Sequence, residues 1–165
     1  MDLPKRKPTR LKNYNYNTSG AYFITICTHN KSKILCNIVG DGALDVPQID
    51  LSPIGEIVEK YIKSTNNIKN ITVDKYVIMP NHIHLLLLVK NDHINGTSRV
   101  PSPTNNIISH TVSTFKRFVN KEIGENIFQR SFHDHIIRDE SDYLKIWNYI
   151  DSNPSKRNED CFYLD

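Results

Sequence analysis

The chain has 165 residues, of which 24% are charged and 38% hydrophobic, with a formal net charge of +3. That length suits one domain with a sizeable core, and the balance is that of an ordinary soluble chain, so a disordered or fibrous class is excluded. The longest apolar run, Leu85 to Val89, is far too short to span a membrane, and three cysteines (Cys27, Cys36, Cys161) without CxxC spacing argue against a disulfide framework or a thiolate zinc site, leaving a reducing cytoplasm as the expectation.

Residues 1–19 read as a basic, Asn-rich tail. Lys5, Arg6, Lys7, Arg10 and Lys12 are candidates for contacting phosphates, and Tyr14 and Tyr16 could stack on bases. With no apolar segment beside the positive charges, the tail is not a secretory signal. Residues 20–165 are expected to form a single domain. Its first element, Ala21 to Thr28, is dense in β-branched and aromatic residues and should be a central strand. Lys33 to Val39 and Ala43 to Ile49 read as short strands around the turn Gly40-Asp41-Gly42. Ser52-Pro53 is a helix start, an N-cap followed by proline at the first helical position, and apolar residues recur at helical spacing to about Lys63.

After a loop at 66–70 comes a long apolar stretch that reads as one buried strand, Asp74 through Val89, with Pro80-Asn81 marking a bulge or bend. Two histidines interrupt it. Side chains alternate faces along a strand, so His82 and His84 point one way and Ile83 the other. A lone histidine in such a strand is usually a hydrogen-bonded core residue. A pair on one rigid face can chelate a cation, since imidazole is the commonest metal ligand.

Asn91 to Asn106 reads as a loop, and Ile107 to Ile123 as a helix that ends at Gly124, with Ile108, Val112, Phe115, Phe118 and Val119 on its inner face. Phe128 to Arg138 looks like a strand carrying a second pair, His133 and His135, a rival metal site on a more polar segment. Glu140 to about Ser152 is a closing helix, stopped at Asn153-Pro154 because a residue before proline is pushed out of the helical region. These elements predict an α+β domain: a ferredoxin-like antiparallel sheet with helices packed on one face and the histidine pair on a central strand.

The closing helix carries Tyr149 and, four residues later, Asn153, which places both on one face. Two imidazoles and one amide oxygen would hold a divalent cation from one side and leave positions for phosphate oxygens and water. A tyrosine hydroxyl beside it could attack phosphorus and store the bond as a phosphotyrosine.

His82-Ile83-His84 resembles the His-hydrophobic-His motif of single-tyrosine HUH endonucleases. The longer string Tyr76-Val77-Ile78-Met79-Pro80-Asn81-His82-Ile83-His84 is similar to the form seen in REP-associated tyrosine transposases, relatives of the smallest insertion-sequence transposases. The likeness continues through Tyr22 to Thr28, Phe128-Gln129-Arg130, His135-Ile136-Ile137-Arg138 and Tyr149-Ile150-Asp151-Ser152-Asn153-Pro154, and so covers nearly the whole chain. It implies a ferredoxin-like fold and a cytoplasmic, nucleoid-associated enzyme that cleaves and rejoins single-stranded DNA beside a hairpin. In it Tyr149 is the nucleophile, His82, His84 and Asn153 hold Mg²⁺ or Mn²⁺, and cleavage leaves a 5′-phosphotyrosine and a free 3′-OH. His135 matches a family position as a possible additional active-site residue. Relatives include monomers and homodimers, so the tyrosine could act within one chain or on its partner. One departure is the absence of an early glycine from the helix at 109–124, which bears on DNA contact and not on the chemistry.

Besides the tail, the basic residues Lys116, Arg117, Lys121, Lys156 and Arg157 are candidate DNA contacts. Among rival readings, a histidine-triad nucleotide hydrolase needs His-x-His-x-His, and the third position here is Leu86. A relaxase or replication initiator is usually longer. A domesticated DNA-binding protein without strand transfer would have no need for His82, His84 and Tyr149 together.

Overall fold

The computed structural model describes residues 14, 16, 18–40, 47–90 and 106–163. The expected turn around Gly42 and the loop preceding Asn106 lie outside the described residues, as do Lys5, Arg6, Lys7, Arg10 and Lys12.

Strand β1 (Gly20–Cys27) is central, as its composition predicts. A short hairpin, β2 (Cys36–Val39) with β3 (Gln48–Leu51), forms a separate two-stranded sheet. Helix α1 (Pro53–Ser64) starts at Ser52, whose side chain accepts from the Gly55 N–H, so the predicted cap is the observed one. β4 (Ile71–Met79) and β5 (His82–Val89) follow, then α2 (Ile107–Ile123), β6 (His133–Ile137) and α3 (Glu140–Ser152). α2 is capped by Asn106 and closed by Gly124 in the left-handed conformation at φ 90°.

The stretch read as one strand is two. Pro80-Asn81 reverses the chain completely, and Met79 pairs with His82 at the top of an antiparallel hairpin. Proline lacks the N–H that would continue a ladder, and the exposed carbonyls of the turn are taken by other segments. The Thr28 N–H and hydroxyl donate to the Asn81 carbonyl, and the Leu35 N–H donates to the Pro80 carbonyl, each at about 3 Å. The last strand is also shorter than predicted, since Phe128 makes only an isolated bridge to Thr28.

The main sheet has the order β4-β5-β1-β6, with all neighbours antiparallel. With α1 between β1 and β4 and α2 between β5 and β6, this is the ferredoxin-like arrangement. The expectation that all helices share one face needs correction. α1 and α2 cover the face carrying Tyr22, Ile24, Ile26, Ile83, Leu85 and Leu87, against which Val58, Ile62, Ile108, Val112, Phe115 and Val119 pack. α3 lies on the opposite face, where Ile150 packs with Leu86, Val77 and Met79, flanked by Phe23, Tyr143 and Trp147. Alternation explains the split: Ile83, Leu85 and Leu87 present one apolar face, and Leu86 continues the histidine face far enough to need its own cover.

Two predicted side-chain placements also change. Phe118 is 41% exposed and stacks on Tyr61 at 5.9 Å instead of entering the core. Tyr16 is 5% exposed and packs against Tyr22 at 6.2 Å, so it is not free to stack on a base.

Candidate metal and nucleophile site

The histidine face of β5 is roofed by α3 and by the segment that follows it. His82 and His84 are both fully buried, with their Nε2 atoms 3.1 Å apart. A cross-strand neighbour orients one ring from behind and a turn residue the other. His84 Nδ1 lies 2.9 Å from the Thr25 hydroxyl on β1, and His82 Nδ1 lies 2.7 Å from Asn81 Oδ1 in the preceding turn. Outer contacts of this kind fix the aim of ligating imidazoles.

A third group joins them that sequence reasoning missed. Asp160, just past a short 3-10 turn (Arg157–Glu159), points its carboxylate into the pair, with Oδ2 at 3.0 Å from His82 Nε2 and 3.1 Å from His84 Nε2. Asn153 Nδ2 donates to the same oxygen at 2.8 Å, and the Phe162 N–H donates to Oδ1 at 2.8 Å. Nothing in the local sequence marks Asp160, which is one acid in a polar stretch 78 residues from His82. Only its proximity to Asn153, seven residues earlier, links it to a residue already singled out.

The three donor atoms form a near-equilateral triangle with edges of 3.0, 3.1 and 3.1 Å. Two buried imidazoles and one carboxylate whose donor atoms meet at one point form a donor set suited to a divalent ion. Asn153 Oδ1 is buried and makes no hydrogen bond, an orphaned acceptor beside this triangle. An unpaired buried acceptor is uncommon enough to need a reason, and a cation supplies one. The residues present therefore fit a divalent metal, with Asp160 added to the expected three.

Tyr149 stands on the same face of α3 as Asn153, and its hydroxyl is 3.4 Å from His84 Nε2. Phe23 holds the two together, stacked on His84 at 5.0 Å and edge-on to Tyr149 at 5.9 Å. Phe162 covers the outer side, its ring 5.9 Å from His82, 5.8 Å from His84 and 5.0 Å from His133. Tyr149, His82, His84 and Asn153 thus converge within one chain.

No protein-family model matches the chain. An uncharacterized protein of Haemophilus influenzae is 33% identical over 177 residues, spanning 97% of this chain and 94% of that protein. Among solved structures, a REP-associated tyrosine transposase bound to a REP hairpin superposes with a TM-score of 0.62 at 19% identity, covering 90% of this chain and 73% of that one. The chain has the tyrosine-transposase fold and belongs to one family with the Haemophilus protein.

Within this transposase fold the protonation states follow from burial and neighbours. Burial pulls His84 down to about 4, partly opposed by the Asp160 carboxylate, so its imidazole is neutral at physiological pH and has a lone pair to give. Burial pushes the Asp160 carboxyl up, but hydrogen bonds from His82, His84, the Phe162 N–H and Asn153 outweigh it and hold the group well below the usual carboxylate range. Tyr149 is pushed above the ordinary phenol value, first by burial and then by the charge of Asp160. Its proton is therefore held more tightly than in a free phenol.

The other candidate residues are dispersed. His135 lies on the same sheet face but on the edge strand, where Nε2 pairs with Asp142 at 2.8 Å; its cross-strand partner is Phe23, whereas His84 is paired with Thr25. His135 is engaged by Asp142 and His133 lies against the Phe162 ring at 5.0 Å, whereas His82, His84 and Asp160 form a metal-capable group of three among the described residues. The Lys116 ammonium turns inward and donates to the carbonyls of Gln129, Arg130 and Ser131 at 2.8, 3.4 and 3.0 Å. That placement commits it to holding the loop before β6. Arg117 and Lys121 are exposed on α2, with Arg117 over the Phe118 ring. Lys156 is exposed beyond α3, and Arg157 is half-buried. Among the described residues no helix is long and apolar enough to cross a membrane.

Proposed function

We propose that this protein is a metal-dependent single-stranded DNA endonuclease and transposase that cuts and rejoins DNA through a 5′-phosphotyrosine. The observation that carries this reading is the Tyr149 hydroxyl 3.4 Å from His84 Nε2, beside the buried His82, His84 and Asp160 donors of the same chain. His82, His84, Asp160 and the Asn153 amide oxygen hold Mg²⁺ or Mn²⁺. When bound, the ion supplies Lewis-acid polarisation of the phosphoryl group and positive charge against the developing negative charge.

The chain's own residues do the rest. Tyr149 Oη attacks phosphorus and forms the new P–O bond as the bond to the 3′-oxygen breaks; the phenol's proton leaves and the 3′-oxygen gains one. α3 positions the hydroxyl because Ile150, the next residue, is 1% exposed and wedged against Leu86 and Val77. That fixed approach is where proximity contributes most. Reversal by a free 3′-OH rejoins the strand without an external energy source, which hydrolysis by water would forfeit.

The substrate is single-stranded DNA beside a hairpin, a reading supported by the likeness to a transposase whose structure holds a REP hairpin. Arg117, Lys121, Lys156 and Arg157, with Lys5, Arg6, Arg10 and Lys12 of the tail, neutralise its phosphates in a cytoplasmic, nucleoid setting. The site needs no second copy, so a monomer suffices.

The test is adduct formation. Purified protein, Mn²⁺ and an end-labelled hairpin oligonucleotide with single-stranded flanks should give a covalent species resistant to detergent. Tyr149→Phe should abolish it while binding changes by no more than a few-fold, since only one hydroxyl is lost. An adduct that persists in that variant would move the nucleophile elsewhere.

A further inference from the structure

We propose that a bulge in β4 clamps α3: it turns two consecutive side chains, Asp74 and Lys75, onto the helix that carries Tyr149, and these two act as positioning residues for the tyrosine. Their part in the chemistry rests on the nucleophile reading above, whereas the clamp itself does not.

An unbroken strand sends alternate side chains to opposite faces. β4 breaks that rule midway. Ile71 and Val73 pack on the α1–α2 side of the sheet, and so do Tyr76 and Ile78, while Val77 and Met79 pack with Ile150 of α3. The residues facing α1 and α2 pass from odd to even numbers, which requires one extra residue between Val73 and Tyr76. The pairing supplies it: Val73 faces Leu87 and Lys75 faces Leu86 on β5, so Asp74 has no partner across the ladder. As a result Asp74 and Lys75 both leave the strand on the α3 side, in succession.

α3 meets them with a stripe at four-residue spacing, Tyr143, Trp147 and Asp151. The Tyr143 hydroxyl donates to the Asp74 carboxylate. Lys75 Nζ lies 2.6 Å from Asp151 Oδ1 and 4.0 Å from the centre of the Trp147 ring, and its side chain is only 16% exposed. Tyr149 is two residues past Trp147 and so stands about 160° round the helix, on the other flank. Ile150 holds α3 to the sheet between these flanks, and the contacts along the β4 flank stop the helix from rolling about it. For a side chain about 5–6 Å from the axis, a roll of roughly 10° is a shift of about 1 Å, enough to cost on the order of a hundred-fold in rate. The Asp151 side chain is 63% exposed, and an ion pair so open adds little to stability. The signature of Asp74 and Lys75 is therefore kinetic.

The experiment uses the full chain with Mn²⁺ and a saturating end-labelled hairpin oligonucleotide, and reads the single-turnover rate of adduct formation. Tyr143→Phe combined with Lys75→Met keeps the ring and the stem but removes both polar contacts. This double variant should slow the adduct about ten- to a hundred-fold while DNA affinity stays within about three-fold of the parent. Lys75→Arg, which keeps a cation against the ring and the carboxylate, should stay within about three-fold of the parent's rate. An unchanged rate in the double variant, or a rate loss matched by an equal loss of DNA affinity, would overturn the positioning role. Amide hydrogen exchange without DNA or metal reads the clamp directly: in the double variant α3 should exchange about ten-fold faster while α1 and α2 keep the parent's rates. Unaltered exchange in α3 would refute the clamp. Faster α3 exchange in the variant, together with a parent that forms no adduct at all, would instead sink the nuclease reading and leave the clamp standing.

Discussion

Replacing Asp160 by Asn tests the site and the packing around it together. The substitution keeps the shape and removes the charge. In the parent, Oδ2 is shared by His82, His84 and the Asn153 amide, and Oδ1 receives the Phe162 N–H. An amide must place its NH₂ on one of those sides, and each already presents a donor. One hydrogen bond is therefore replaced by a donor–donor contact in a place where Asp160 is 4% exposed. An unsatisfied buried donor costs about 1–3 kcal/mol. The carboxylate's charge-assisted bond from the Phe162 N–H or the Asn153 amide is weakened as well, while His84, held neutral near 4, loses little. A total of about 2–3 kcal/mol translates to a midpoint lower by roughly 4–12 °C in a chain of this size. Removal of the one anionic ligand should weaken Mn²⁺ at least as much as an outer-shell change does, about a hundred-fold, or ~2.7 kcal/mol. Thermal unfolding without metal reads the first effect and titration calorimetry with Mn²⁺ the second. Mn²⁺ affinity within three-fold of the parent would refute Asp160 as a ligand, and an unchanged midpoint would refute the hydrogen-bond reasoning.

Further outcomes follow from the packing. Gly55→Ala should destabilise the protein despite alanine's helical preference, because a Cβ there would collide with the backbone carbonyl of Leu35. Moving α1 away releases the bonds that Ser52 makes to Leu35, at a cost of about 2 kcal/mol against roughly 1 returned by propensity; a midpoint equal to or above the parent's would count against this. Ile150→Ala should cost about 2–5 kcal/mol in urea unfolding and reduce adduct formation by loosening Tyr149, whereas Ile150→Val should cost about 0.5–1.5 kcal/mol; equal effects would show that Ile150 does not anchor the helix. Lys116 is pulled by burial down to about 8, so the folded state releases its proton before the unfolded state does. The unfolded state then binds more protons above pH 8, and the stability of the parent relative to Lys116→Met should rise with pH from about 8 towards 10. A flat or falling difference in parallel denaturant titrations would contradict it.

Much of this protein was legible without coordinates where the signal is local. Ser52 and Gly124 mark helix ends because capping is decided within a few residues. Strand alternation put His82 and His84 on one face, and helical spacing put Tyr149 above Asn153. Both follow from backbone periodicity alone. The hairpin at Pro80-Asn81 is not legible because a bend and a complete reversal carry the same residues, and only the pairing of Met79 with His82 distinguishes them. Lys116 looked like a surface cation, yet its ammonium is spent on three carbonyls of a loop 13 to 15 residues away.

The chain's own order of residues determined which chemistry was on offer: two imidazoles side by side, and a phenol one helical turn from an amide. Tertiary structure alone decided that these meet, that α3 takes the face opposite α1 and α2, and that Asp160 completes the donor set. The reason is range. Periodicity reports which way a side chain points within its own element, whereas contact between His82 and Asp160 depends on how elements 78 residues apart are folded onto one sheet.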